Sequence, residues 1–302
     1  MLDQALLLVY LTILSSVPYL LPALGGTCSE RAGVVNIGLE GMLLVGAFAA
    51  AAAAHATGSA WTGLVAGVLA GTLTALLHAL LTVTAKVDQI ISGLSINLLA
   101  GGATGYGMDL IWGDTDSGTV PVLPAWELVP EGPWGNVVNA LFGRPLVLLT
   151  ALAVPAVWLL LFRTRFGLRL SAVGENPAAC DTLGLSVAGL RYRGVLLSGA
   201  LAGMGGSWLA FNVGRFGQDI SAGKGYIAMA AVVCGRWRPL GVAAACFLFG
   251  FAGALCAALE RWRVPVPSQL LTALPYVLTM IVVAGLVGRA RAPAALGVPY
   301  EK

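Results

Sequence analysis

Residues 30–57 read ERAGVVNIGLEGMLLVGAFAAAAAAHAT. The first part sets Glu30, Arg31, Asn36 and Glu40 among glycines; after Glu40 no charged residue follows before the segment ends. From 40 to 57 the apolar residues cover every side of a helix and leave no face suited to water. Those 18 residues, at about 1.5 Å each, approach the roughly 30 Å hydrocarbon core of a bilayer. A polar, glycine-rich interruption feeding a membrane-length apolar helix is the pattern that recurs along the chain.

The whole composition agrees. Of 302 residues, 58% are apolar or aromatic and only 10% are charged, against about 25% in soluble domains. Mean hydropathy is +0.86. A transmembrane β-barrel is excluded, because barrel strands alternate polar and apolar residues and these blocks do not. The expected fold is all-α: a polytopic transmembrane helical bundle forming one domain over residues 1–302. Apolar runs suggest about nine spans, at 5–24, 40–57, 61–83, 89–112, 145–162, 194–213, 221–235, 239–259 and 269–288. The first is expected to be retained, since Leu24-Gly25-Gly26-Thr27 is a poor cleavage site. The seventh is short and opens on Gly223-Lys224-Gly225, so a re-entrant segment is the alternative there.

Basic residues set the expected orientation, because short cytoplasmic loops collect Lys and Arg. The loop at about 163–193 carries five arginines and is placed inside; the loop at about 113–144, with four acids, is placed outside. Nine crossings then put twelve basic residues inside and five outside, with the N-terminus external and the C-terminus cytoplasmic.

A second interruption, Ser221-Ala222-Gly223-Lys224-Gly225, precedes a short span and the turn Cys234-Gly235-Arg236-Trp237-Arg238-Pro239. Two such breaks starting from opposite sides have the form of an inverted repeat, in which broken helices mark the path of a solute. Polar groups inside a membrane are costly unless they face protein or water, so Asn36, Glu40, Gln89, Ser92, Asn97 and Lys224 are candidates for lining a pathway. The structural alternative is that Glu40 caps a helix N-terminus and Asn97 makes an interhelical hydrogen bond.

Catalytic signatures are missing from the sequence. The nearest phosphate-loop candidate, Gly217 to Gly223-Lys224-Gly225, has five intervening residues and ends in Gly. Neither His55 nor His78 has metal-ligand spacing, and the five cysteines show no paired spacing. No metal or cofactor is expected on this chain. Within the basic loop, Asn176 suits an N-cap, Pro177 the first helical position and Gly184 the stop. A short rigid helix with arginines on both flanks makes a docking element.

With these residues in hand, Glu30-Arg31-Ala32-Gly33-Val34-Val35-Asn36-Ile37-Gly38-Leu39-Glu40-Gly41-Met42 resembles the signature of permease subunits of bacterial ABC importers of the nucleoside and simple-sugar branch, the superfamily of ribose and branched-chain amino acid permeases. Asp88–Leu99, Arg165–Tyr192 and Ala222–Gly241 are similar to the same subunits. The resemblance implies a type II-like importer with broken or re-entrant helices. It also implies a coupling helix around Arg169, Glu175, Asn176, Pro177, Ala178, Asp181 and Gly184 that seats in a partner ATP-binding subunit, where ATP and magnesium would be held. A second permease, different in sequence in the nucleoside branch, and an extracellular substrate-binding protein or lipoprotein complete the implied assembly in the bacterial plasma membrane; nucleic acid has no place in it. Two departures stand out: after Gly250-Phe251-Ala252 the chain continues Gly253-Ala254-Leu255-Cys256 where members often carry an acidic or amide residue, and Lys224 stands where Arg is usual. Left open beside nucleosides are a simple sugar or branched-chain amino acid as solute, and, from another class, an ion-coupled secondary transporter.

Overall fold

The computed structural model describes residues 2–261 except 115 and 131, then positions 273, 277, 280 and 281, and residues 291–301. Among these it holds eleven α-helices: α1 (Leu2–Arg31), α2 (Leu39–Thr57), α3 (Ala60–Ala79), α4 (Gln89–Ile111), α5 (Pro133–Phe142), α6 (Pro145–Arg163), α7 (Arg165–Glu175), α8 (Pro177–Thr182), α9 (Val187–Val213), α10 (Lys224–Cys234) and α11 (Pro239–Arg261). A π-helical turn, Leu80–Thr84, extends α3.

The all-helical membrane bundle is as expected; the nine spans are not. Six helices are long and apolar enough to cross: α1, α2, α3 with its π turn, α6, α9 and α11. The expected span at 89–112 is α4, which has the length but carries Gln89, Ser92, Asn97 and five glycines that dilute its hydropathy. The span at 221–235 is α10, only 11 residues, about half a bilayer at 1.5 Å each. The span at 269–288 falls almost wholly outside the described residues. The twelve-to-five tally assumed nine crossings and falls with them.

What organises the bundle is close backbone contact. From Ser16 to Glu30 every residue of α1 is buried, so this helix is the central post. In α1, Thr12, Ser16 and Thr27 turn their hydroxyls back to the carbonyls four residues earlier, which satisfies them without water. The small-residue ridges Gly63-Gly67-Gly71 of α3 and Gly199-Gly203 of α9 pack on each other. A Cβ on Gly71 would sit 2.5 Å from the Gly199 carbonyl oxygen, and one on Gly203 would sit 2.3 Å from that of Gly67. Gly46 of α2 joins them, its own missing Cβ directed at the Gly203 backbone 2.6 Å away. In a bilayer no hydrophobic force draws helices together, so this approach is what lets dispersion and backbone contacts hold three helices.

Two ends of the bundle differ in charge. At one end Arg31 donates to the Trp237 carbonyl and to Ser171, Arg191 to the Val298 carbonyl, and Lys86 pairs with Glu301. At the other, Arg144 reaches Tyr10 and Asn212, and Arg215 pairs with Asp116.

The packing makes a direct expectation. Gly203→Leu should cost on the order of 3 kcal/mol, the upper end of ordinary overpacking because the obstacle is backbone, and should lower the melting temperature of detergent-purified protein. Gly101→Ala, whose Cβ meets nothing within 4 Å, should leave it unchanged.

Candidate functional site

Between α1 and α2 the chain runs without helix from Ala32 to Gly38. This segment is not outside the bundle. Asn36 donates to Ser198 at 2.8 Å, and Ser198 touches the Cβ position of Gly25. Gly25 lies six residues before the end of α1 and Ser198 eleven after the start of α9, so Asn36 sits about 9–17 Å inside the basic end by helix rise.

Irregular backbone at that depth must find its partners within the protein, and here side chains supply them. The Val35 amide donates to Gln89 Oε1 at 2.6 Å, and the Val35 carbonyl lies 3.0 Å from His78 Nε2. His78 Nδ1 in turn meets Ser92 Oγ at 3.0 Å. A carbonyl can only accept, so Nε2 carries a proton toward Val35 while Nδ1 faces the Ser92 hydroxyl. The Val34 carbonyl takes the Ser29 hydroxyl, and the Ile37 carbonyl takes Asn97 Nδ2 at 3.0 Å. Asn36, Gln89, Ser92 and Asn97, expected as candidates for lining a pathway, are here gathered around the interrupted segment.

The segment ends at Glu40, in the first turn of α2. Its carboxylate accepts from two amides of the second interruption, Gly223 at 2.9 Å and Gly225 at 2.6 Å. These belong to the N-terminus of α10, so Glu40 caps a helix other than its own. Gly225 has no alternative residue: its Cβ would lie 2.5 Å from the Glu40 Cα. Asn97 performs the reciprocal service, accepting from the Gly41 amide at 2.8 Å and donating to the Tyr226 hydroxyl at 2.9 Å. Lys224 folds back onto the Ile220 and Ser221 carbonyls while its charge feels Glu40. From this junction α2 leads toward the acidic loop, where His55 meets Trp112 edge to face. In the opposite direction α10 leads to Trp237 at the basic end, whose indole donates to Glu30. Two positive helix ends therefore converge in the bundle interior, with one carboxylate between them.

Glu40 is buried, while Tyr226, which the sequence reading did not name, is 41% exposed. His78 is the other omission. A histidine deep in an apolar helix was the available signal, and it was set aside because it lacked metal-ligand spacing. Among the described residues no three His, Cys, Asp or Glu side chains gather as metal ligands.

The short helix expected after Asn176 is present as α8. Asn176 Oδ1 accepts from the Ala179 amide at 3.0 Å, Pro177 opens the helix, and Gly184 takes a left-handed turn with φ +77°. Cys180 faces inward onto Val173, Val187 and Leu190, and burial raises its thiol pKa. Arg169 and Ala178 are exposed, as is Leu183, a third residue that sequence reading missed. Glu175 and Asp181 are engaged by the C-terminal segment: Glu175 Oε2 accepts from the Ala294 amide and Asp181 from Tyr300. That segment also donates from Ala295 to the Gly174 carbonyl at 2.8 Å and from Gly297 to the Gly33 carbonyl at 3.2 Å. Residues 294–301 therefore tie α7 and α8 to the head of the interrupted segment.

Comparison with known proteins follows this geometry. Residues 8–287 match the family model described as branched-chain amino acid transport system / permease component. The chain is 38% identical to the guanosine ABC transporter permease protein NupQ of Bacillus subtilis, covering 96% of this chain and 95% of that one. It is 37% identical to the nucleoside ABC transporter permease protein NupC of Lactococcus lactis, again over 96% and 95%. A second guanosine permease of Bacillus subtilis, NupP, is 28% identical over 85% of this chain and 76% of its own length. No solved structure matches.

Glu40→Gln removes the charge between the two helix ends and turns an amide NH₂ toward a backbone donor. It should cost about 1–3 kcal/mol, the range for a buried group left without its partner. Thermal unfolding of the purified protein measures it, and an unchanged melting temperature would show that the cap contributes nothing.

Proposed function

The chain belongs to the family of branched-chain amino acid transport system permease components, and from that premise we propose that it forms the solute pathway of an ATP-driven nucleoside importer. Nucleosides are favoured over sugars or branched-chain amino acids by the two relatives at 37–38% identity over nearly full length, whose names carry guanosine and nucleoside. The observation that carries the mechanism is the Glu40 junction: two helix N-termini meeting inside the bundle, held by hydrogen bonds that a small relative movement breaks. Glu40, Asn97 and Lys224, with the exposed Tyr226, line the pathway. Their amide, hydroxyl and charged groups suit a ribose and a base edge. Asn36, Gln89 and Ser92 hold the interrupted segment in place behind them.

This subunit performs no hydrolysis in the proposal. ATP and magnesium belong to a partner ATPase that receives α8, with Ala178 and Leu183 as the exposed contact and Arg169 beside them. Closure of the ATPase pair moves α8, and the tie through Tyr300, Ala295 and Gly297 passes that movement to Gly33 and on to Glu40. The basic end faces the cytoplasm, as the distribution of Lys and Arg favours; the N-terminus is then outside and the described C-terminal residues inside, in a bacterial plasma membrane. A second permease covers the outer face of α4, where Leu94, Leu98, Tyr106 and Leu110 are exposed beside the Asn97–Tyr226 pair. The pairing of NupP with NupQ in one organism supports a different chain in that role. A substrate-binding protein delivers solute to the end that carries Asp116 and Arg215.

The test is made on the whole transporter purified from its native membranes and reconstituted in vesicles. ATP-dependent guanosine uptake and an ATPase that co-purifies are expected; uptake by this chain alone on a proton or sodium gradient would overturn the reading. Leu183→Glu should reduce uptake at least about tenfold, the order of a coupling between two sites, while leaving the chain's membrane level unchanged.

A further inference from the structure

The turn between α10 and α11 is backbone-strained. Arg236 and Trp237 both lie in the left-handed region, at φ +54° and +53°, costly for residues with side chains. The strain is held by two bonds: Trp237 donates its indole N–H to Glu30, and its carbonyl accepts Arg31 Nε at 2.6 Å. The result is a turn whose middle residue points into the bundle while Arg236 and Arg238 on either side stay exposed.

Those two arginines border a cleft of about 500 Å³ between α6 and α11. Its other walls are Trp158, Phe162, Leu240 and Gly241. Two further guanidinium groups brace the aromatic floor: Arg31 lies 4.7 Å from the Phe162 ring centre and Arg163 lies 5.7 Å from that of Trp158. Among the described residues no carboxylate lines the cleft. Among the described residues neither Arg236 nor Arg238 pairs with an acid. Pro239 starts α11, so the amides of Leu240 and Gly241 have no carbonyl of their own helix to bond. Cationic side chains, unbonded amides and a helix N-terminus all converge on one opening.

Beyond the opening the surface is apolar. Leu240 is 62% exposed, and Leu159, Phe247 and Phe251 continue exposed along α6 and α11, so the cleft sits where a membrane-spanning surface meets the headgroup layer. A free soluble anion would have no use for that apolar approach.

We propose that this cleft binds the headgroup of an anionic phospholipid, its phosphate between Arg236, Arg238 and the start of α11, its glycerol over Trp158 and its acyl chains along Leu240. Arg31 and Arg238 repel one another, with Glu175 acting on Arg31 as a partial counter-charge, and a bound phosphate diester adds the negative charge that Arg236 and Arg238 lack. The lipid would thereby hold α6 against the strained turn that ends α10. The site does not depend on the identity of the transported solute.

The experiment is native mass spectrometry of the intact transporter, delipidated and then titrated with phosphatidylglycerol, phosphatidylcholine or inorganic phosphate. The wild-type complex should retain phosphatidylglycerol over phosphatidylcholine by roughly tenfold or more, on the order of what two basic residues contribute at an anionic surface. The Arg236→Gln/Arg238→Gln pair should abolish that preference, and the Arg236→Lys/Arg238→Lys pair should keep most of it. Inorganic phosphate at the same concentration should not displace the lipid. Equal retention of the two lipids by the wild-type complex, which needs no variant to fold, would overturn the proposal. So would unchanged preference in the glutamine pair, displacement by inorganic phosphate, or loss of a protein subunit from that pair with lipid retention intact.

Discussion

One carboxylate organises the interior of this protein. Glu40 stands at the start of α2 and closes on the amides of Gly223 and Gly225 at the start of α10. Each helix end carries a partial positive charge from unbonded N–H groups. In hydrocarbon neither end could be left open. The two breaks in the chain therefore depend on each other: the acid of one is the cap of the other.

The same constraint explains the surroundings. A stretch of extended chain at membrane depth exposes peptide groups that lipid cannot bond. His78, Gln89, Asn97 and Ser29 are present to bond those of residues 34–37. The glycine ridges serve a different need. They bring α2, α3 and α9 into backbone contact and make a rigid wall, against which the interrupted segment is held through Asn36 and Ser198. Rigid packing on one side and a few breakable polar bonds on the other is an arrangement in which small displacements are concentrated at the junction.

Much of this could be read from the residues in order. Both interruptions, the six long apolar helices and the cap-and-stop signals of α8 at Asn176, Pro177 and Gly184 are local patterns, and local patterns are what a sequence displays. The count of spans was not legible, because α4 and α10 are apolar enough to suggest crossings while one is diluted by glycine and amides and the other is too short. The partners of Glu40 were not legible either. A glutamate in a first turn is expected to favour its own helix; that it serves a helix far along the chain depends on tertiary packing. The tie made by Ala295, Gly297 and Tyr300 is hidden for the same reason: two of its bonds run from backbone amides to the Gly174 and Gly33 carbonyls, which no side-chain pattern announces.

The central claim is that the junction opens and closes to opposite sides of the membrane as ATP is bound and released. Tyr226→Cys in an otherwise cysteine-free chain, assembled in the whole transporter, places a thiol at that point. A membrane-impermeant thiol reagent added from outside should label it in one nucleotide state and fail to label it in the other. Equal labelling with and without a bound, non-hydrolysed ATP analogue would contradict the account.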